Sequence, residues 1–317
     1  MKRILLAVLA TLLLICVCCC NNRKTDNNSD AGLSGSAAVH TPSHLYGFIV
    51  KDDGNTGTYI AMHSFISTCD DIGVNAKLYR FKDSEGFNSC VKSAEADNCD
   101  AVLFYAPGFD VAESIRAFKA GGIATASLID RYENADCNIL MSDPELDILE
   151  YLASDSESTI LIYSSEQENT AEFSKKLTES NHTNKVRFLR RTDSEYDAAA
   201  SSLKDYLLNN KDVKAIYAIG SKNARAASVS AKQADKDIKV ICENTTNISQ
   251  APYENNNFAY AFCPWHELAA SGVHSVYKYL SGESAGDIYA TVHIVTEEKY
   301  EKYEKLQKSA LDWFNVG

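Results

Sequence analysis

Short runs of apolar and β-branched residues alternate along this chain with longer segments in which apolar residues recur at helical spacing. The first run, LYGFIVK at 45–51, predicts a buried strand. The segment 58–72 then places Tyr59, Met62 and Phe65 on one face of a predicted helix. Such alternation is typical of a parallel sheet covered by helices.

The same alternation runs twice along the chain and predicts two similar α/β halves. A polar helical tail follows residue 295, and it is too short to form a third domain. The predicted strands are 45–51, 75–81, 101–105, 123–128, 159–163, 185–191, 215–219, 239–242, 258–262 and 287–295, and the predicted helices are 58–72, 86–96, 112–120, 144–153, 170–179, 196–209, 224–234 and 267–280.

The first 20 residues have the pattern of an export signal. A basic start, MKR, precedes an almost entirely apolar run at 4–20 that ends in cysteines. Cys20 follows the triplet VCC, which resembles a loosened bacterial lipobox, so we expect 1–20 to be a lipoprotein signal peptide with Cys20 lipidated. Cys19 is an alternative lipidation site, and a plain signal peptide or an uncleaved anchor remains open.

Residues 21–44 lack any apolar period and are rich in Asn, Ser, Asp, Gly and Ala. Such a segment cannot bury enough apolar surface to fold, so it predicts a flexible tether. We therefore expect a folded body held outside the cytoplasm at the bacterial cell membrane through a lipid anchor.

Composition and charge narrow the class of protein. The chain has 317 residues, 45% of them hydrophobic and 23% charged, which is enough for two domains. Its formal charge of −12 disfavours nucleic acid as a partner. The cysteines beyond the leader form no CxxC pair and have no histidine at metal-ligand spacing, so we expect no metal site and no cofactor; these cysteines are at positions 69, 90, 99, 137, 242 and 263.

Several strings, taken with the order of the elements, resemble the type 1 periplasmic binding proteins, especially the ribose-binding branch. The resemblance covers 45–303, and its specificity lies in the order and spacing of the strings. They are CDAVLFYAPG at 99–108, GGIATASLIDR at 121–131, KDVKAIYAIGSKNARAASVSAKQA at 211–234, FAYAFCPWHELAASGVHSVYKYLSGE at 258–283 and IVTEEKYEKY at 294–303.

The resemblance implies an α/β fold of two Rossmann-like lobes with parallel sheets, joined by a three-strand hinge. The crossings between lobes would fall near Asp143, Cys263 and Ile294. The implied N-terminal lobe is 45–143 plus 264–293, and the implied C-terminal lobe is 144–263 plus 294–317.

In the first lobe the resemblance implies four residues that contact the ligand. Asp130 and Arg131 coincide with a pair that grips sugar hydroxyls, since a carboxylate accepts and a guanidinium donates hydrogen bonds. A solvated salt-linked pair is the alternative. Tyr59 stands where the family places a ring that stacks on a sugar, although an aromatic residue at helical spacing is more often part of the core. Tyr105 ends the third strand in a similar position.

The loop before Tyr59 and the second lobe supply the remaining candidates. Asp53 and Asn55 lie in the loop after the first strand, and their polar groups are expected to point into the cleft. Asn244 falls where the family has an Asp, and Phe262 falls where it has a hinge Gln. These departures put the usual sugar contacts of the second lobe in doubt. Trp265 follows the second crossing, where ligand stacking and interlobe packing are both open.

The function implied is capture of a small polar ligand, such as a sugar, a polyol or a nucleoside-like molecule, for delivery to an ABC importer. A sensory lipoprotein that presents its ligand-bound form to a membrane receptor or sensor kinase is the alternative. No GxGxxG, Walker, GxSxG or HExxH motif is present, so an enzyme is not expected. We expect a monomer whose partner is a permease or a membrane sensor.

Overall fold

The computed structural model describes residues 44–153, 158–234, 237–245, 248 and 257–315. Within these residues the strands form two six-stranded sheets. Sheet 1 contains β1 (Leu45–Lys51), β2 (Asn75–Phe81), β3 (Ala101–Tyr105), β4 (Ala124–Leu128), β5 (Cys137–Met141) and β11 (Ile288–Ala290).

Sheet 2 repeats the plan of sheet 1. The strand order is β11-β5-β4-β3-β1-β2 in sheet 1 and β12-β10-β9-β8-β6-β7 in sheet 2, and the pairing is parallel except between β10 and β12. Its strands are β6 (Thr159–Ser164), β7 (Lys185–Arg190), β8 (Val213–Ala218), β9 (Lys239–Thr245), β10 (Phe258–Phe262) and β12 (His293–Val295).

Helices cover both faces of each sheet, because the central strands are apolar on both faces. Strands β3 and β4, for example, are buried along their whole length. In the described part of the chain, no helix is both long and apolar enough to cross a bilayer. The helices are α1 (Thr56–Asp71), α2 (Ser84–Ala96), α3 (Ala112–Ala120), α4 (Pro144–Leu152), α5 (Thr170–Glu179), α6 (Tyr196–Asn209), α7 (Ser221–Gln233), α8 (Trp265–Leu280) and α9 (Tyr300–Asn315).

We call sheet 1 with the helices packed on it the first lobe, and sheet 2 with its helices the second lobe. In the described residues the chain passes between them after β5, after β10 and after β11. The single strand predicted at 287–295 is wrong. Strand β11 pairs with β5 in the first lobe, and β12 pairs with β10 in the second, so the third crossing lies between Ala290 and His293.

The C-terminal helix α9 contacts both lobes. Tyr303 near its start packs against Phe262 of sheet 2, and Phe314 near its end stacks on Tyr59 of α1. The sequence assigned 294–317 to the second lobe, whereas residues 300–315 lie against the first lobe as well.

The described cysteines serve mainly as small core residues. Cys69, Cys99, Cys137 and Cys242 are buried thiols, and Cys90 is a half-buried thiol. Burial raises the pKa of the Cys69 and Cys242 thiols to about 12, so both stay protonated at neutral pH.

Candidate functional site

The strand order of the two sheets locates the candidate site. In an open parallel sheet, ligands bind beyond the carboxyl ends of the strands where the order reverses. In sheet 1 that reversal lies between β1 and β3, and in sheet 2 it lies between β6 and β8. The loops after these four strands therefore border the candidate site.

The loop after β1 is held by its own polar side chains. Oδ1 of Asn55 accepts a hydrogen bond of 2.8 Å from the amide of Gly57 and so caps α1. Oδ1 of Asp53 accepts from the amide of Asn55 and from the hydroxyl of Thr58, both at 2.9 Å. Asp53 and Asn55 are exposed, and an ionised carboxylate has room for further donors. The loop thus presents a fixed carboxylate to solvent.

Two aromatic rings form a corner at the end of β3. Tyr105 meets Trp265 edge to face, with ring centroids 4.8 Å apart. Trp265 lies directly over Gly57, where a Cβ atom would be only 2.3 Å from the indole Nε1. The indole is therefore part of the wall beside the loop after β1. The sequence left the role of Trp265 open between ligand stacking and interlobe packing. The feature that pointed to this residue was its position directly after the second crossing between lobes.

Tyr105 shares its surroundings with two of the predicted carboxylates. Burial raises the pKa of its hydroxyl to about 12, with further contributions from Asp53, Cys263 and Asp130 in that order. The phenol therefore stays protonated at neutral pH and is able to donate a hydrogen bond. Asp53, Tyr105 and Asp130 all lie at the carboxyl edge of sheet 1, near enough for both carboxylate charges to act on the phenol.

Arg131 does not join this group. Its guanidinium pairs with the carboxylate of Asp287, and its other terminal nitrogen lies 3.4 Å from the hydroxyl of Tyr289. Asp130, by contrast, is fixed through its carbonyl, which accepts a hydrogen bond of 2.7 Å from Ser127. The two residues were predicted to bind the ligand together, but the side chain of Arg131 is already paired with Asp287.

Tyr59 and Phe262 contact the C-terminal helix rather than an open surface. The ring of Tyr59 is stacked on Phe314 with centroids 4.3 Å apart. Phe262 has no exposed surface and packs against Tyr303, so a ligand cannot reach its ring in this conformation. The side chain of Asn244 lies outside the described residues.

The sequence missed two acidic residues at the carboxyl edge of sheet 2. Glu243, near the end of β9, has a raised pKa because it is partly buried; a hydrogen bond from the amide of Gly220 opposes this rise, and the negative charge of Glu168 adds to it. Glu168, in the loop after β6, accepts a hydrogen bond of 3.2 Å from Ser164. Glu243 could have been found from the sequence, because it directly precedes Asn244, which was a predicted ligand contact.

Arg191 is positioned at the same edge by backbone carbonyls. Its guanidinium donates to the carbonyls of Asp193 at 2.7 Å and Ser194 at 2.8 Å, and to Oδ1 of Asn223 at 3.1 Å. Asn223 donates in turn to the carbonyl of Ile219, the residue that follows β8. The second lobe thus offers two carboxylates and one immobilised guanidinium.

Comparison with solved structures decides the fold. An ABC sugar transporter subunit from Rhodobacter sphaeroides 2.4.1 superposes with a TM-score of 0.51 and 16% identity, over 81% of this chain and 99% of the other. A carbohydrate transporter from Acidothermus cellulolyticus 11B, in complex with myo-inositol, superposes with a TM-score of 0.52 and 14% identity, over 84% of this chain and 99% of the other. The chain has the type 1 periplasmic binding protein fold.

The type 1 periplasmic binding protein fold is also found in regulators. The lac repressor dimer bound to operator and an anti-inducer superposes with a TM-score of 0.52 and 15% identity, over 81% of this chain and 94% of the other. No protein-family model and no curated protein matches the sequence. Identities this low establish the architecture, and the function has to be argued from the site.

Proposed function

We propose that this chain is an extracytoplasmic solute-binding lipoprotein that captures a small polar ligand between its lobes and delivers it to an ABC importer. The observation that carries the proposal is that Asp53, Tyr105 and Asp130 follow or end three adjacent strands, β1, β3 and β4, at the carboxyl edge of sheet 1, where both carboxylate charges act on the phenol. The ligand class is a sugar, a polyol or a nucleoside-like molecule.

The chemistry of these groups suits a ligand rich in hydroxyls. The carboxylates of Asp53 and Asp130 accept hydrogen bonds from hydroxyl groups, and the protonated phenol of Tyr105 is able to donate one. Trp265 adds an apolar wall beside them. A few polar groups on an aromatic surface are typical of small-molecule sites.

The solved structures support the same ligand class. One of the superposed transporters holds myo-inositol, which is a polyol, and the other is a subunit of a sugar transporter. In this proposal the lobes close on the ligand by a hinge motion about the three crossings. The lipid on Cys20 and the tether 21–44 would keep the body beside a permease in the membrane.

Two other functions share this fold. In a sensory lipoprotein the closed form would contact a membrane receptor or sensor kinase, and neighbouring genes for a kinase rather than a permease would favour it.

A sugar-responsive regulator is a candidate because repressors superpose as well as transporters do. The formal charge of −12 and the export-like pattern at 1–20 favour the extracytoplasmic protein over a DNA-binding one.

A thermal-shift screen of the folded body against sugars, polyols, nucleosides and amino acids tests the proposal. A ligand present at about 100 times its Kd should raise the free energy of unfolding by about 2.7 kcal/mol. Asp130→Ala should abolish the shift, because it removes an acceptor for ligand hydroxyls. Asp71→Ala, an exposed carboxylate on α1 outside the candidate site, should keep it.

Two results would count against the proposal. If no compound in these classes shifts the melting temperature, the chain is not a binding protein for small polar ligands. If a ligand is found and Asp130→Ala binds it as tightly as wild type, the ligand lies elsewhere in the molecule.

A further inference from the structure

Helix α9 begins against the second lobe. The ring of Tyr303 packs on Phe262 with centroids 4.8 Å apart, and its hydroxyl lies 2.6 Å from Nδ1 of His293. Phe262 ends β10 and His293 begins β12, so both partners belong to sheet 2. Tyr303 and Phe262 are buried, which makes this end of the helix part of the core.

The same helix ends against the first lobe. Phe314 stacks on Tyr59 with centroids 4.3 Å apart and planes 27° apart. The guanidinium of Arg80, near the end of β2, lies 5.2 Å above the same Phe314 ring. Trp313 meets His63 of α1 edge to face at 5.9 Å. Two side chains of α9 and three from the first lobe therefore hold this end.

A helix fixed at both ends constrains the angle between the lobes. The 16 residues of α9 form a rod of about 24 Å, which does not stretch. If the lobes rotate about their three crossings, one set of end contacts has to break. The contacts with Phe262 are fully buried, whereas Trp313 is 38% exposed, so the end at Tyr59 and Arg80 is the one that releases.

This end of the helix is also linked to the candidate site. Arg80, which covers Phe314, forms an ion pair of 2.8 Å with Asp52. Asp52 immediately precedes Asp53 in the loop after β1. Movement of Phe314 therefore changes the surroundings of a residue adjacent to the proposed ligand contact.

We propose that α9 is an interlobe strap: docked on Tyr59 and Arg80 it holds the two lobes at one angle, and its release at Phe314 permits them to rotate. The strap acts on the unliganded protein, so this proposal holds or fails independently of the ligand class. In this proposal the contacts of the last turn of α9 determine whether the two lobes are able to rotate.

Distances between the lobes in the full chain test the strap. Nitroxide labels on non-natural residues at Arg116 of α3 and Leu208 of α6, both exposed, report the lobe separation by pulsed electron spin resonance without touching the native thiols. Wild type should give one narrow distance distribution. Phe314→Ala should broaden it or add a second population, because the ring contacts are lost.

Two further variants make the result specific. Phe314→Leu keeps an apolar side chain but removes the ring stacking and the cation–π contact, so it should broaden the distribution less than Phe314→Ala. Tyr277→Ala truncates an exposed aromatic residue of α8 away from the strap and should match wild type. A Phe314→Ala distribution identical to wild type, or equal broadening in Tyr277→Ala, overturns the proposal.

Discussion

At Gly57 a Cβ atom would lie 2.3 Å from Nε1 of Trp265, closer than nonbonded atoms pack. The glycine is needed because the indole occupies the space above the first turn of α1, where it also meets Tyr105. One small residue thus fixes the position of a large one at the edge of the candidate site. Close packing of this kind leaves little room for added volume.

Gly57→Ala should therefore destabilise the protein by about 1–3 kcal/mol through overpacking. Denaturant unfolding measures the loss. Gly286→Ala is the matched control, because a Cβ atom at Gly286 meets nothing within 4 Å, and it should unfold like wild type. Adding Trp265→Leu to Gly57→Ala should recover part of the loss; if the two losses simply add, the indole is not the obstacle.

Glu243 gives a prediction for pH. Its folded-state pKa is raised, mainly by burial, so the folded protein binds this proton more tightly than the unfolded chain does. Ionised Glu243 therefore lowers stability above its unfolded pKa, and the penalty disappears as pH falls below that value. Glu243→Gln should raise the melting temperature at about pH 7.5 and have little effect at about pH 4.

The exposed Glu172 serves as the control for this measurement. Glu172→Gln should keep the pH dependence of wild type. A gain in Glu243→Gln that is equal at both pH values would show that the amide stabilises by packing, and it would contradict the assignment of a raised pKa.

Helix α1 illustrates how an element positions the candidate site. Asn55 caps the helix by accepting from the amide of Gly57, and Asp53 holds the loop by accepting from Thr58 and from Asn55 itself. These hydrogen bonds form without any ligand. Its polar groups have a structural role that has to be separated from a role in binding.

Two helix caps separate these roles. Asn55→Ala and Asp83→Ala, the cap of α2, should each cost about 1 kcal/mol of stability, because each leaves a helix amide without its acceptor. Only Asn55→Ala should also weaken a ligand found in the screen. Calorimetric titration measures the affinity for the ligand, and denaturant unfolding measures the stability. If both variants bind the ligand with equal affinity, Asn55 only caps α1 and does not contact the ligand.

At the scale of the whole molecule, the two sheets have the same strand order and the chain crosses between them three times in the described residues. Three chain crossings allow rotation but little sliding, so ligand capture should change the angle between lobes. The candidate groups of the first lobe then approach those of the second.

Ligand binding should accordingly reduce the radius of gyration measured by small-angle X-ray scattering. Wild type should become more compact at saturating ligand because the lobes close. Asp130→Ala at the same ligand concentration should not. A ligand that stabilises wild type and leaves its scattering unchanged would mean that binding does not move the lobes.

The anchor proposed at Cys20 is also tested on the whole molecule. Cells that express the full chain should incorporate labelled palmitate into it, and Cys20→Ser should abolish the label. Cys19→Ser is the control and should retain it. Loss of the label in Cys19→Ser alone would move the lipidation site by one residue, and no label in wild type would remove the anchor from the proposed function.

Apolar patterning along the sequence determined most elements. Strands β1, β2, β3 and β10 lie where the pattern predicts them, because a short apolar run between turns is a local property of the chain. Strand β5, with the letters CNILM, has a weaker local signal and was not predicted. Its position is set by pairing with β4 on one side and β11 on the other.

The sequence was enough to predict the repeated α/β plan and to place Asp53, Tyr105 and Asp130 after or at the ends of strands, because both follow from local apolar patterns. The strand order of the sheet then makes these three strands neighbours, with their carboxyl ends at one edge. The ion pair of Arg131 with Asp287 and the stacking of Phe314 on Tyr59 could be seen only in the folded chain. Those partners are far apart in the chain. Which side chain a residue contacts depends on packing between elements, and no local pattern records it.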